Sequence, residues 1–246
     1  MITCSSPNWD ERPDGSQIDL VVLHYTGMET GDAALLRLCD AEAKVSAHYM
    51  IGEEGAVYAL VPEEKRAWHA GVSSWLGRDN INHTSIGIEL VNPGHEFGYR
   101  PFPAVQIDSL LALLSGIKAR HKVPYYGYVG HSDIAPLRKT DPGEYFPWQQ
   151  LAVAGFGLHS AVDGADTALL PVKGADGVLL QELHEKLSIL GYAFTDSKAV
   201  DSETFMVLKA FQAHWRQSAV TGFYDIGTRA LLTDLARQMS TTGETQ

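Results

Sequence analysis

Compact apolar runs alternate with amphipathic ones over the first 150 or so residues. Residues 18–25, Ile-Asp-Leu-Val-Val-Leu-His-Tyr, are apolar and β-branched at a length that suits a strand buried on both faces. Residues 31–39 read as a short helix. Residues 48–51 and 56–61 read as two strands joined by Glu53-Glu54-Gly55, a hairpin signal. Residues 85–91, Ser-Ile-Gly-Ile-Glu-Leu-Val, form a further strand, ended by Asn92-Pro93-Gly94. Over 103–121 the apolar positions Val105, Ile107, Leu110, Leu111, Leu114 and Ile117 recur at helical spacing. A short strand over 126–130 leads into a polar, proline-containing loop, 131–147. Strands alternating with helices make residues 1–154 an α/β layer structure.

Residues 155–177 differ. Gly155, Gly157, Gly164, Gly174 and Gly177 sit among alanines and small polar residues, which reads as a linker. Residues 178–246 then read as a small all-α domain of three helices. Leu179, Leu183 and Leu187 repeat every four residues, flanked by Leu180 and Leu190, and Gly191 stands where a helix-ending glycine belongs. Phe205, Leu208, Phe211 and Trp215 make a second stripe, and Leu231, Leu232 and Leu235 a third. Asp201-x-x-Thr204-x-x-x-Leu208 recurs as Asp225-x-x-Thr228-x-x-x-Leu232. Each Asp is placed to accept from the free N–H groups that open a helix.

At 246 residues and 45% hydrophobic content the chain can bury one large core or two small ones. Residues 1–154 carry 19 acids against 12 bases, and residues 155–246 carry 11 against 7. Neither part is basic, which excludes a nucleic-acid-binding or anionic-membrane surface. No apolar run approaches the ~18 residues of a membrane helix. Cys4 and Cys39 make no disulfide framework and no C-x-x-C motif. The polar stretch 1–13 has no signal-peptide pattern, and no apolar stretch precedes Cys4 as it would before a lipid-anchored cysteine.

Three residues of the first part suit a metal. His24 ends the first strand, and His131 follows the strand over 126–130. Asp141 lies in the next loop, fixed by Pro142. Two imidazoles and a carboxylate leave one tetrahedral position open for water. By spacing alone each histidine reads equally as a core residue bonded to backbone. Glu89 lies within Ile86-Gly87-Ile88-Glu89-Leu90-Val91. Such an acid faces a polar cleft, has a buried partner, or points to solvent from an edge strand. Lys139, two residues before Asp141, reads on its own as a solvated lysine.

Taken in order, the segments Leu23-His24-Tyr25-Thr26, Val45-Ser46-Ala47-His48-Tyr49, Ala67-Trp68-His69-Ala70-Gly71, Ser85-Ile86-Gly87-Ile88-Glu89-Leu90, Gly130-His131-Ser132-Asp133-Ile134-Ala135-Pro136 and Lys139-Thr140-Asp141-Pro142-Gly143 resemble the zinc-dependent N-acetylmuramoyl-L-alanine amidases of the type-2 family. That family includes bacterial anhydro-muropeptide amidases, phage lysozymes and animal peptidoglycan recognition proteins. The resemblance spans about residues 18–150. It implies a central mixed β-sheet flanked by helices. It also implies one Zn²⁺ held by His24, His131 and Asp141, with Glu89 and Lys139 as catalytic acid–base and cationic groups. Trp68 and His69 match positions that line the substrate groove, whereas His48 reads as a structural histidine. Ala47 stands where phage and animal members carry tyrosine, which points to the bacterial branch. The implied reaction cleaves the amide between the lactyl group of N-acetylmuramic acid and L-alanine, in peptidoglycan or muropeptides. The alternative is a non-catalytic recognition protein, but such relatives have lost a zinc ligand and here all three positions are filled.

Residues 178–238 resemble a three-helix peptidoglycan-binding module through Leu190-Gly191-Tyr192, Ala210-Phe211-Gln212 and the paired Asp-x-x-Thr starts. The Asp-Gly usual before each start is replaced by Val200-Asp201 and Tyr224-Asp225. A wall-binding module favours the cell envelope or periplasm and a polymeric substrate. An N-terminus without a leader pattern favours the cytoplasm and soluble fragments. The reading leans to the envelope. A linker would let the module act as a tether; packing on the catalytic part would make it structural.

Overall fold

The computed structural model describes residues 1–171, 177–193 and 201–242. Part of the glycine-rich segment (172–176) and Val200 lie outside the described residues. The strands are β1 (Ile2–Thr3), β2 (Trp9–Glu11), β3 (Leu20–Tyr25), β4 (Tyr49–Ile51), β5 (Val57–Ala59), β6 (Lys65–Ala67), β7 (Ser74–Trp75), β8 (Arg78–Asp79), β9 (Ser85–Leu90) and β10 (Tyr128–Gly130). The helices are α1 (Gly31–Cys39), α2 (Gly94–Phe97), α3 (Ala104–His121), α4 (His131–Ile134), α5 (Trp148–Val153), α6 (Val178–Leu190), α7 (Ser202–Trp215) and α8 (Ile226–Thr242).

The central sheet runs β1-β5-β4-β9-β3-β10 and is mixed. β4, β9, β3 and β10 are mutually parallel, and the expected β4–β5 hairpin supplies the antiparallel pair. The turn closes through Gly52 N to Ala56 O at 2.8 Å and uses Gly55 at φ +85°. The expected strand over 126–130 begins later, because residues 125–127 wind into a 3-10 turn that closes on the Pro124 carbonyl at 2.9 Å.

Alternation along β3 splits the core in two. Val21 and Leu23 face α3, where Ile107, Leu110, Leu114 and Ile117 form the buried stripe. Leu20 and Val22 face the other way and share a cluster with Leu183, Leu187, Phe211 and Leu232 of the C-terminal helices. Helices α6–α8 therefore cover the second face of the sheet.

Both helix-opening aspartates act as expected: Asp201 accepts from Thr204 N at 2.8 Å, and Asp225 from Thr228 N at 2.8 Å. Gly191 ends α6 at φ +120° and brings Trp75 so close that an added Cβ would lie 2.7 Å from its indole. The described part of the glycine-rich segment is bound to the helices. Arg216 donates to the carbonyls of Gly164 at 2.6 Å and Asp166 at 3.2 Å, and Leu170 N donates to Tyr224 O at 3.0 Å.

Candidate active site

His24 stands at the end of β3, directly across from Glu89 in β9. Val22 and Gly87 are the preceding pair on the same face. β10 runs into α4, whose first residue is His131, and the Asp133 carboxylate accepts from Gly130 N at 2.7 Å to hold that corner. Asp141 is drawn in where Ser132 N donates to its carbonyl at 2.9 Å. The site thus lies at the carboxyl ends of parallel strands, where open α/β sheets form their crevices.

Three ligand-type atoms converge here. His24 Nδ1 lies 2.9 Å from His131 Nδ1 and 3.1 Å from Asp141 Oδ2, and His131 Nδ1 lies 3.0 Å from that same oxygen. All three residues are buried. Their outer contacts fix the tautomers. His131 Nε2 donates to the Ala70 carbonyl at 3.2 Å, which leaves a lone pair on Nδ1.

A relay does the same for His24. The Ser85 hydroxyl donates to Ile81 O at 2.7 Å and accepts from His69 Nε2 at 3.1 Å. His69 Nδ1 then accepts from His24 Nε2 at 3.1 Å, which leaves the His24 Nδ1 lone pair facing inward. Two lone pairs and a carboxylate oxygen converge with no proton between them. That arrangement repels itself without a cation, and the set fits a metal by its own hydrogen bonding.

Electrostatics agree. Burial, with His131 beside it, pushes His24 down to about 4. Burial alone would raise Asp141, but His131 and His24 outweigh it and hold the carboxyl well below its usual range. Glu89 is pushed well above the usual carboxylate range by burial and by the nearby Asp141, with Lys139 partly opposing. Glu89 Oε2 is buried without a hydrogen-bond partner among the described residues.

The cavity around these groups is about 410 Å³ and is also lined by Trp68, Arg138 and Lys139. Trp68 is half-buried on its wall. His69, expected at the substrate groove, lines the cavity but sits behind His24 with both ring nitrogens bonded. Its ring lies against Gly87, where an added Cβ would come within 2.3 Å of it. His48 is structural as expected. Its Nδ1 accepts from Gly87 N at 3.0 Å and its Nε2 contacts Lys65 O at 3.1 Å.

Several lining groups escaped the sequence reading. Arg138 donates to the carbonyls of Ala70 and Val72 and so holds the 70–72 loop against α4. Tyr25 Oη reaches His95 Nδ1 at 3.0 Å and Thr140 Oγ1 at 3.1 Å, tying α2 and the loop before Asp141 together at the cavity wall. Tyr25 and Thr140 adjoin the matched residues His24 and Asp141, the one signal for them. His95 and Arg138 carried none.

Burial also sets an acid limit. Burial pushes His48 down to about 3, with Arg12 adding to it, and His24 stands at about 4. Both folded values lie below the ordinary histidine value near 6.5, so the unfolded chain binds more protons between them. Stability present above about pH 6.5 is lost as pH falls toward 4. The thermal midpoint of the metal-free protein should drop steadily from pH 7 to pH 4.5; a flat profile would contradict neutral buried imidazoles.

Residues 14–144 match the N-acetylmuramoyl-L-alanine amidase family. The chain is 36% identical over 227 residues to the N-acetylmuramoyl-L-alanine amidase AmiD of Escherichia coli, covering 87% of this chain and 81% of that protein. The solved complex of that enzyme with anhydro-N-acetylmuramic acid-L-Ala-D-gamma-Glu-L-Lys superposes with a TM-score of 0.79 at 33% identity, covering 93% of each chain. AmpDh3 of Pseudomonas aeruginosa superposes with a TM-score of 0.77 at 32% identity, covering 97% of this chain and 99% of that one. The family match spans more than half of the sequence and the likeness to AmiD runs through the helical part as well, so this chain belongs to the type-2 N-acetylmuramoyl-L-alanine amidase family.

Proposed function

We propose that this chain hydrolyses the amide between the lactyl group of N-acetylmuramic acid and L-alanine, in peptidoglycan or muropeptides, with one zinc ion held by His24, His131 and Asp141. Membership of the amidase family supports the reaction. The solved complexes of AmiD and of AmpDh3, the latter with an anhydromuramic pentapeptide, support a muropeptide as substrate. The observation that carries the reading is the set of two inward imidazole lone pairs and one carboxylate at 2.9–3.1 Å. Two imidazoles and a carboxylate suit zinc in a catalytic site. A zinc ion held by these three residues would supply a Lewis acid to polarise the scissile carbonyl and to make water nucleophilic near neutral pH.

The chain's own groups do the rest. Glu89 shares the cavity and has an unbonded oxygen. It takes a proton from the attacking water at Oε2 and returns it to the leaving amine of L-alanine. Its raised pKa makes it a better acid for that second step. The Lys139 ammonium lies at the cavity wall and stabilises the developing oxyanion. Trp68 offers a ring face to the substrate. His69, bonded to His24, acts as an orienting residue.

A non-catalytic recognition protein would bury an unpartnered carboxylate at Glu89 to no purpose, which favours the enzyme. Residues 1–154 form the catalytic part, joined through 155–177 to a peptidoglycan-binding-like module at 178–246. That module favours work at the cell envelope. No helix among the described residues is long and apolar enough to cross a membrane.

The direct test incubates the zinc-loaded full chain with an anhydro-N-acetylmuramyl tripeptide and follows release of the peptide by mass. Release should stop on chelation and return with zinc. Release that persists after complete metal removal would overturn the metal assignment, and no release at any zinc loading would overturn the hydrolase.

A further inference from the structure

The sulfurs of Cys4 and Cys39 lie 3.3 Å apart, although 35 positions separate them in the chain. Both residues are half-buried, so a small reagent reaches them. Cys4 follows the edge strand β1 and is anchored by Cys4 N to Ala59 O at 3.0 Å. Cys39 is the last residue of α1, whose Ala34, Arg37 and Leu38 line the candidate active-site cavity.

The two segments are already joined on both sides of Cys39. Ser6 Oγ donates to Leu38 O at 2.5 Å, and Asn8 Nδ2 donates to the carbonyls of Asp40 and Val45, each at 2.8 Å. The Cys39 thiol itself reaches Cys4 O at 3.5 Å. A network of this kind holds the two side chains in register, with their sulfurs already within contact distance.

We propose that Cys4 and Cys39 are a disulfide-forming site, oxidised by a small-molecule or protein disulfide, that fastens the edge of the sheet to the helix lining the cavity. Cys4 loses its proton and attacks one sulfur of the oxidant, whose other sulfur leaves as a thiol. Cys39 then loses its proton and displaces the second thiol from the mixed disulfide. One oxidant disulfide is reduced to two thiols, and the two protein thiols are oxidised to one disulfide. Burial, with the Cys4 thiol beside it, pushes the Cys39 thiol up to about 12. Cys39 serves as the second, resolving sulfur, because its thiol proton is held toward the Cys4 carbonyl at 3.5 Å while exchange starts from a thiolate.

The test treats the native full chain with oxidised glutathione and reads thiol content, intact mass and non-reducing gels. Wild type should lose both thiols, retain no glutathione, lose the mass of two hydrogens and run as a single chain on the non-reducing gel. Its tryptic digest should contain one peptide pair joined through Cys4 and Cys39. Cys39→Ser should stop at the mixed disulfide, with glutathione held on Cys4. The proposal is overturned if wild type keeps both thiols under conditions that load Cys39→Ser, retains glutathione as that variant does, or forms a reducible dimer instead.

Discussion

His131→Ala should lose zinc and turnover together. His131 Nδ1 is one of three inward ligand atoms among the described residues, and the other two face it at 2.9 and 3.0 Å. Removing it leaves one imidazole and one carboxylate, too few for a tight zinc site. The loss in affinity should exceed the roughly 10–100-fold that follows when an outer-shell partner of a metal ligand is removed. The fold should persist. His131 is the first residue of a four-residue helix, and the corner it occupies is held separately by Asp133. Tyr192 Oη donates to Asp133 at 2.5 Å and His214 Nδ1 contacts it at 2.7 Å, so the C-terminal helices support the same corner. Metal analysis of the dialysed variant, beside an assay for peptide release, measures both effects. Stoichiometric zinc in His131→Ala would sink the ligand set.

Glu89→Gln separates proton transfer from metal binding. The amide keeps the size and shape of the carboxylate and cannot take a proton from water. Glu89 makes no bond to His24, His131 or Asp141, so zinc should stay. Turnover should fall at least about 100-fold, the lower end for a general base, with little change in KM. The variant should fold at least as well as wild type, since it removes a buried carboxylate that lacks a partner. Near-normal turnover would show that the attacking water is activated without Glu89.

The strands and helices were largely legible in advance. β3 and β9 announce themselves as short, nearly continuous apolar runs, because both faces of these central strands are buried, and α3 by a 3.6-residue repeat of apolar positions. The Asp201 and Asp225 caps were legible too, since a cap is made within three residues of itself. The start of β10 was less so: Pro124 drives a turn that apolar content does not reveal.

By itself the sequence determined the local elements, and its ordered motifs pointed to the family and to His24, Glu89, His131, Lys139 and Asp141 as candidate site residues. Only the tertiary structure decided what those residues do to one another. The β3–β9 register puts Glu89 beside His24, and the β10–α4 corner carries His131 across 107 positions to within 2.9 Å of it. The relay through Ser85 and His69, a residue expected at the substrate groove, sets the His24 tautomer. The described part of the expected linker is bound to the helices because Arg216 donates to its carbonyls, and Gly191 lets Trp75 pack against the end of α6. The Cys4–Cys39 pair, silent as a motif, exists only through the contacts of residues 6–8 with the end of α1 and the loop after it. Hydrophobic periodicity is written into neighbouring residues, whereas convergence of distant groups depends on strand register and on which face each element buries, and no short stretch of sequence encodes either.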